Sequence, residues 1–202
     1  MEKIDYKKEL KHLYKPSTKE VGVVDVPKMN FLMADGEGEP GSQSYQNIIE
    51  ALYNLSYTLK FMIKKGTLGI DYGVLPLEGL WWADDMSKFS VEHKEDWKWT
   101  LMIMQPEHVT SDLLDEAINQ VKKKKNPPAL SKIRFEPFIE GKSAQIIHIG
   151  PFTEVGPTVE KLHDFIAKAG LKLSGKHHEI YLSDIRKADP TKWKTIIRQP
   201  MI

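Results

Sequence analysis

His177-His178-Glu179-Ile180-Tyr181-Leu182 places a carboxylate inside a short strand-like run. Side chains alternate along a strand, so His177, Glu179 and Tyr181 share one face and His178, Ile180 and Leu182 the other. The second face reads as core. The first carries an imidazole, a carboxylate and a phenol in a row. An unpaired charge is costly to bury, or it gives up its charge by a shifted pKa. That face is therefore either the solvated side of an ordinary antiparallel sheet or a surface turned toward something polar or cationic.

The flanking sequence narrows the choice. Gln145-Ile-Ile-His-Ile-Gly-Pro-Phe152 reads as a strand ending in a turn. A helical run follows through Leu162 and Phe165, with glycine turns at Gly170 and Gly175. After Glu179, Ile196-Ile197-Arg198-Gln199-Pro200 reads as a closing strand. This order, a strand ending in His-x-Gly-Pro-aromatic, an amphipathic helix, Glu-Ile-Tyr and a last strand before proline, resembles the GyrI-like small-molecule-binding family with its SOUL/GyrI effector-binding fold. The resemblance implies that Glu179 meets the ligand in a cleft between two repeated modules.

Composition sets the outer limits. The chain has 202 residues, 41% of them hydrophobic, enough to pack a core in one large domain or two small ones. Basic and acidic residues number 29 and 28, a net charge of +1, which gives no field for steering nucleic acid or an anionic membrane. Without cysteine there are no disulfides, cysteine zinc sites or thiol nucleophiles. Met1–Asp5 has no apolar leader, and no run approaches the ~18 apolar residues of a membrane helix. The reading is a soluble cytoplasmic protein that contacts neither membrane nor nucleic acid directly; its oligomeric state is left open.

Residues 1–19 are polar and lysine-rich and read as an arm. Strands are predicted at 21–26 and 30–34, and an amphipathic helix over about 43–64 from the spacing of Tyr45, Ile48, Ile49, Leu52, Leu55 and Leu59. Residues 72–82 and 97–104 read as strands. A helix is predicted from Ser111 to Lys124, with Thr110 or Ser111 as its cap and Lys122–Lys125 at its carbonyl end. Asn126-Pro127-Pro128 is the clearest break. Residues 133–139 and 143–149 read as a hairpin around Glu140-Gly141-Lys142. The two halves share one grammar, which predicts a single domain over 1–202 made of modules at about 20–105 and 130–200, joined by a helix at about 110–125. The fold class is α+β: duplicated strand-helix-strand-strand modules, antiparallel sheets with helices on one side, and a pseudo-twofold central cleft.

In that repeat Glu78 parallels Glu179, and the two carboxylates would face each other across the groove. Paired carboxylates with one raised pKa and one ordinary pKa could work as acid and base; a lone glutamate with aromatic walls could equally hold a cation. Four tryptophans, Trp81, Trp82, Trp97 and Trp99, crowd one segment. Trp81 and Trp82 are both candidate cleft walls, because Pro76 and Gly79 obscure the alternation. Tyr72 falls in the same strand-like segment. His148 is either a satisfied strand-end histidine or a cleft residue. His177 and His178 are neighbours on a strand and cannot chelate one ion, so neither metal nor cofactor is expected. Gly36-x-Gly38-x-x-Gly41 lacks the lysine of a phosphate loop and carries Glu37 and Glu39, which repel phosphate.

The resemblance extends to the free-standing branch of the family through Leu77-Glu78-Gly79-Leu80-Trp81. It implies hydrolysis of cyclopropane-bearing DNA alkylators for self-protection. Glu179, Tyr181 and Glu78 would then be the catalytic residues, and Trp81, Trp82, Tyr72, His148 and His177 the ligand-binding ones. A non-catalytic drug sponge or sensor is the alternative, and inhibition of a protein partner a third reading.

Overall fold

The computed structural model describes residues 2–85 and 94–202. In chain order its elements are β1 (Glu2–Ile4), α1 (Tyr6–Glu9), α2 (Lys11–Tyr14), β2 (Gly22–Val26), β3 (Met29–Glu37), α3 (Gln43–Lys65), β4 (Ile70–Tyr72) and β5 (Leu77–Trp82). β6 (Lys98–Gln105), α4 (Ser111–Lys124), β7 (Arg134–Phe138), β8 (Gly141–Ile149), α5 (Gly156–Lys168), β9 (His177–Tyr181) and β10 (Lys194–Pro200) follow. The class is α+β, as the sequence indicates. Contacts divide the chain into two compact units that interleave along it. One is Met1–Tyr6, Met29–Leu75 and Trp82–Phe138; the other is Lys7–Lys28, Pro76–Trp81 and Ile139–Ile202.

In the first unit β3 pairs antiparallel with β6 and with β7. Ile48, Leu52, Leu55, Leu59 and Ile63 form the buried stripe of α3, the face its sequence spacing predicts. Ser42 caps this helix by accepting from the Tyr45 amide. Thr110 caps α4 in the same way, and Lys122, Lys123 and Lys124 occupy its last turn, where they suit the exposed carbonyls. Gly36 is a packing requirement: a Cβ there would meet the Trp99 ring, which is fully buried. Trp99 is thus core rather than a ligand wall.

In the second unit the strands run in the order β2–β8–β10–β9–β5. Cross-strand pairing puts Ile146, Ile197, Glu179 and Gly79 in one row on the front face. It puts Gln145, Arg198, His178 and Leu80 in the adjacent row, on the back. α5 packs on the front, burying Leu162 and Ile166 against Ala144, Ile146, Ile197 and Met201. The predicted arm is ordered into short elements, and α2 lies on the back. There the carbonyl oxygens of His12 and Leu13 accept from Gln145 and Arg198.

The predicted hairpin around Gly141 does not form. β7 pairs with β3, whereas β8 pairs with β2 and β10. The turn residue Glu140 is instead drawn into the back-face core, where its side chain is 1% exposed and bonded to His178 and Arg198.

Candidate functional site

Glu179 sits on the front of β9, one strand beyond the Ile197 that α5 covers. Its side chain is 16% exposed, so it is sheltered yet reachable. One oxygen accepts from His177 Nε2 at 3.2 Å and the other from the Tyr181 hydroxyl at 2.8 Å. That hydroxyl in turn accepts from the Trp81 indole N–H at 3.2 Å. The result is a directed chain, indole to phenol to carboxylate. Burial pushes the Glu179 carboxyl upward, but the His177 bond and charge, the Tyr181 bond and the His178 charge together hold it below its ordinary value. Glu179 is therefore an ionised acceptor at neutral pH. It is suited to hold a cation or to receive a proton from water, and poorly suited to donate one.

Two further features shape this face. Gly79 lies opposite Glu179, and a Cβ there would come within 2.8 Å of the Trp81 indole nitrogen and 3.2 Å of the Tyr181 hydroxyl. The glycine leaves the space those two rings share. Phe152 meets the Tyr181 ring edge-on at 5.5 Å and lies 5.0 Å from Trp193. Phe152 and Trp193 were not among the expected site residues. The aromatic after Gly150-Pro151 was visible in the sequence, but only the packing of the turn brings it to Tyr181.

His163 is the other residue added by the structure. It projects from α5, its Nε2 is buried without a hydrogen-bond partner, and burial followed by the His177 charge holds its pKa below the ordinary value. His148 shares the front face, since Thr195 pairs with both His148 and Tyr181. Its ring is nevertheless tied down: Nε2 donates to the Pro151 carbonyl at 3.2 Å and Nδ1 lies 2.9 Å from the Thr158 hydroxyl. The satisfied strand-end reading fits that geometry.

Glu78 does not face Glu179. β5 registers with Gly79 opposite Glu179, which turns Glu78 onto the back with Ile180. It is fully buried there; its Oε1 accepts from Tyr14 at 2.8 Å and its Oε2 from His178 at 3.0 Å. The expectation of two facing carboxylates is thereby corrected. Of the two adjacent tryptophans, Trp81 shares the face of Glu179, while Trp82 belongs to the first unit. Tyr72 also belongs to the first unit, buried and packed edge-on by Tyr6 at 5.9 Å. His177 and His178 point to opposite faces, and no cluster among the described residues has the makings of a metal site. No helix among them is long and apolar enough to cross a membrane.

Three solved structures resemble the chain over nearly its whole length. An uncharacterized conserved protein from Listeria innocua is 41% identical with a TM-score of 0.92, covering 98% of this chain and 100% of that one. Two hydrolases from the same organism are 40% and 42% identical with TM-scores of 0.86 and 0.89, covering 98% and 100% of this chain and 100% of each of theirs. The C-terminal domain of EcmrR, 13% identical with a TM-score of 0.56 over 91% of this chain and 97% of that one, shares the fold alone. No curated protein matches. The GyrI-like small molecule binding domain matches residues 19–201, so this chain belongs to the GyrI-like family.

Proposed function

We propose that the front face around Glu179 binds planar aromatic or cationic molecules and adds water to a strained, cyclopropane-bearing electrophile, as a self-protective hydrolase. The observation that carries this reading is a sheltered, ionised carboxylate hydrogen-bonded to a tyrosine that itself meets Trp81 and Phe152, with Trp193 against Phe152. Aromatic walls with few placed polar groups describe a small-molecule site. The two hydrolases of Listeria innocua, similar along the whole chain, favour turnover over storage.

In the proposed reaction Glu179 accepts a proton from water as the water oxygen bonds to a cyclopropane carbon. The strained carbon–carbon bond breaks, and its electron pair moves into the conjugated carbonyl, whose oxygen takes up a proton. Tyr181, whose one hydroxyl hydrogen goes to Glu179, orients that carboxylate, and the carbonyl oxygen takes its proton from solvent. Glu78, buried on the back, takes no part in proton transfer. Ionised Glu179 beside aromatic rings would also attract a cation, which is why cationic ligands remain in the substrate class.

The test is incubation with a cyclopropane-bearing DNA alkylator, following ring-opened product by mass spectrometry. Multiple turnover is expected in the wild type. Glu179→Gln is expected to lose on the order of 10²-fold or more in kcat, as when one preorganised polar group is removed from a reacting centre. Binding without product would make the protein a sponge or sensor, and equal turnover by the variant would remove Glu179 from the site.

A further inference from the structure

Directly behind Glu179 the core holds four groups that carry charge. His178 Nδ1 lies 2.9 Å from Glu140 Oε1, and its Nε2 lies 3.0 Å from Glu78 Oε2. Ionised carboxylates only accept, so both ring nitrogens must donate and His178 is an imidazolium. Arg198 donates to Glu140 at 3.2 Å, to Gln145 at 3.0 Å and to the Leu13 carbonyl at 2.7 Å. Two cations thus balance two anions, and His178, Glu78, Arg198 and the Glu140 side chain are each no more than 1% exposed. Such an array is weak evidence for stability, because well-packed apolar side chains of the same volume often serve a core as well or better. Its position suggests another use. His178 is the residue before Glu179, on the same strand, and both its ring nitrogens are fixed.

We propose that His178, clamped between Glu78 and Glu140, is a positioning residue for Glu179: it fixes the middle of β9, and its buried positive charge adds to the His177 and Tyr181 bonds that favour the Glu179 carboxylate. Its functional part rests on Glu179 being the group that meets substrate. Among the described residues, the other titratable groups facing Glu179 are His177 and Tyr181 on β9, with His163 of α5 next to His177. β5 presents Gly79 and Trp81 and β10 presents Ile197, none of which titrates. The groups facing His178 are Glu78 from β5, Glu140 before β8, Arg198 from β10 and, through Glu78, Tyr14 of α2. Losing the imidazolium removes the smaller of two positive charges that favour the Glu179 carboxylate, the His177 bond and charge being the larger. The midpoint of Glu179 then moves to higher pH.

The experiment is a carbon-13 NMR titration of the Glu179 side-chain carboxyl in the wild type and in His178→Gln, with turnover of the cyclopropane alkylator measured beside it. The expected result is a midpoint displaced upward in the variant, with kcat lower by on the order of tenfold and KM little changed, as for a misplaced reacting group. An unchanged midpoint overturns the proposal. Should the variant fail to fold, the wild type alone decides. There the Glu179 carboxyl carbon is expected to show a second, smaller inflection where the His178 ring loses its proton, and its absence overturns the proposal. A wild type that leaves the alkylator untouched overturns the hydrolase reading instead, while the titration still decides the role of His178.

Discussion

The two faces of β9 carry the same chemistry to different ends. On each face a histidine donates to a glutamate, and a tyrosine donates to that glutamate at 2.8 Å: His177 and Tyr181 to Glu179 in front, His178 and Tyr14 to Glu78 behind. The back is closed by α2 and contains a second acid and an arginine, so its charges are fully matched. The front is open enough for Glu179 to stay 16% exposed. Surroundings, rather than residue type, separate a group that holds the fold from one that can meet a ligand. Breaking the back should cost stability first, and breaking the front should cost chemistry first.

The largest effect is expected from Arg198→Ala. It leaves Glu140 with one buried cation instead of two and strips the Leu13 carbonyl and Gln145 of a donor. Removing one partner of a buried ion pair costs about 3–5 kcal/mol. Urea denaturation is expected to show a loss of that size, whereas Glu179→Gln, which keeps a hydrogen-bonding side chain at a partly exposed position, should lose clearly less. Equal losses in the two variants would erase the distinction between the faces.

A smaller effect comes from pH alone. The His178 pKa is raised from 6.5 to about 9, burial opposing the charge while the bonds and charges of Glu140 and Glu78 overcome it. A folded-state pKa above the unfolded one gives stability that is fully present below pH 6.5 and is lost as the pH rises through about 9. A displacement of this size corresponds to about 3 kcal/mol at ~1.4 kcal/mol per unit. On the front the sign reverses: the Glu179 carboxyl is held low, so its contribution is present above the unfolded value and disappears as pH falls. Denaturation midpoints between pH 6 and 10 should therefore decline with a step that His178→Gln lacks.

Much of this could be read from the chain, and the rest could not for definable reasons. The alternation of His177, Glu179 and Tyr181 follows from the pleat and holds in the structure. The stripe of α3 and the cap at Thr110 were equally legible, because both depend on residues a few positions apart. The face of Glu78 was not. It depends on which residue of β5 lies opposite which residue of β9, strands about a hundred positions apart in sequence, and a register offset by one residue would have turned Glu78 to the front. Arg198 and Glu140 carried a visible signal, an arginine inside Ile196-Ile197-Arg198 and an acid at an apparent turn. Local pattern does not reveal that the two meet.

The sharpest form of the comparison is one substitution made on each face. Tyr14→Phe and Tyr181→Phe each delete a hydroxyl that donates to a glutamate at 2.8 Å. In the back no water reaches the freed Glu78 Oε1, so it is left short of a donor. A buried group left unsatisfied costs about 1–3 kcal/mol, and Tyr14→Phe should lose stability in that range. In the front the freed Glu179 oxygen can be met by water or ligand, so Tyr181→Phe should lose less than ~1 kcal/mol, the net worth of an ordinary hydrogen bond. It also breaks the chain from the Trp81 indole and removes the donor placed beside the carboxylate. Its cost should therefore appear in turnover of the alkylator, as a fall in kcat out of proportion to its stability. Unfolding midpoints and kcat measured on the two variants together decide the matter. If Tyr181→Phe proves the more destabilising and leaves kcat intact, the front of β9 is a structural surface and the site lies elsewhere.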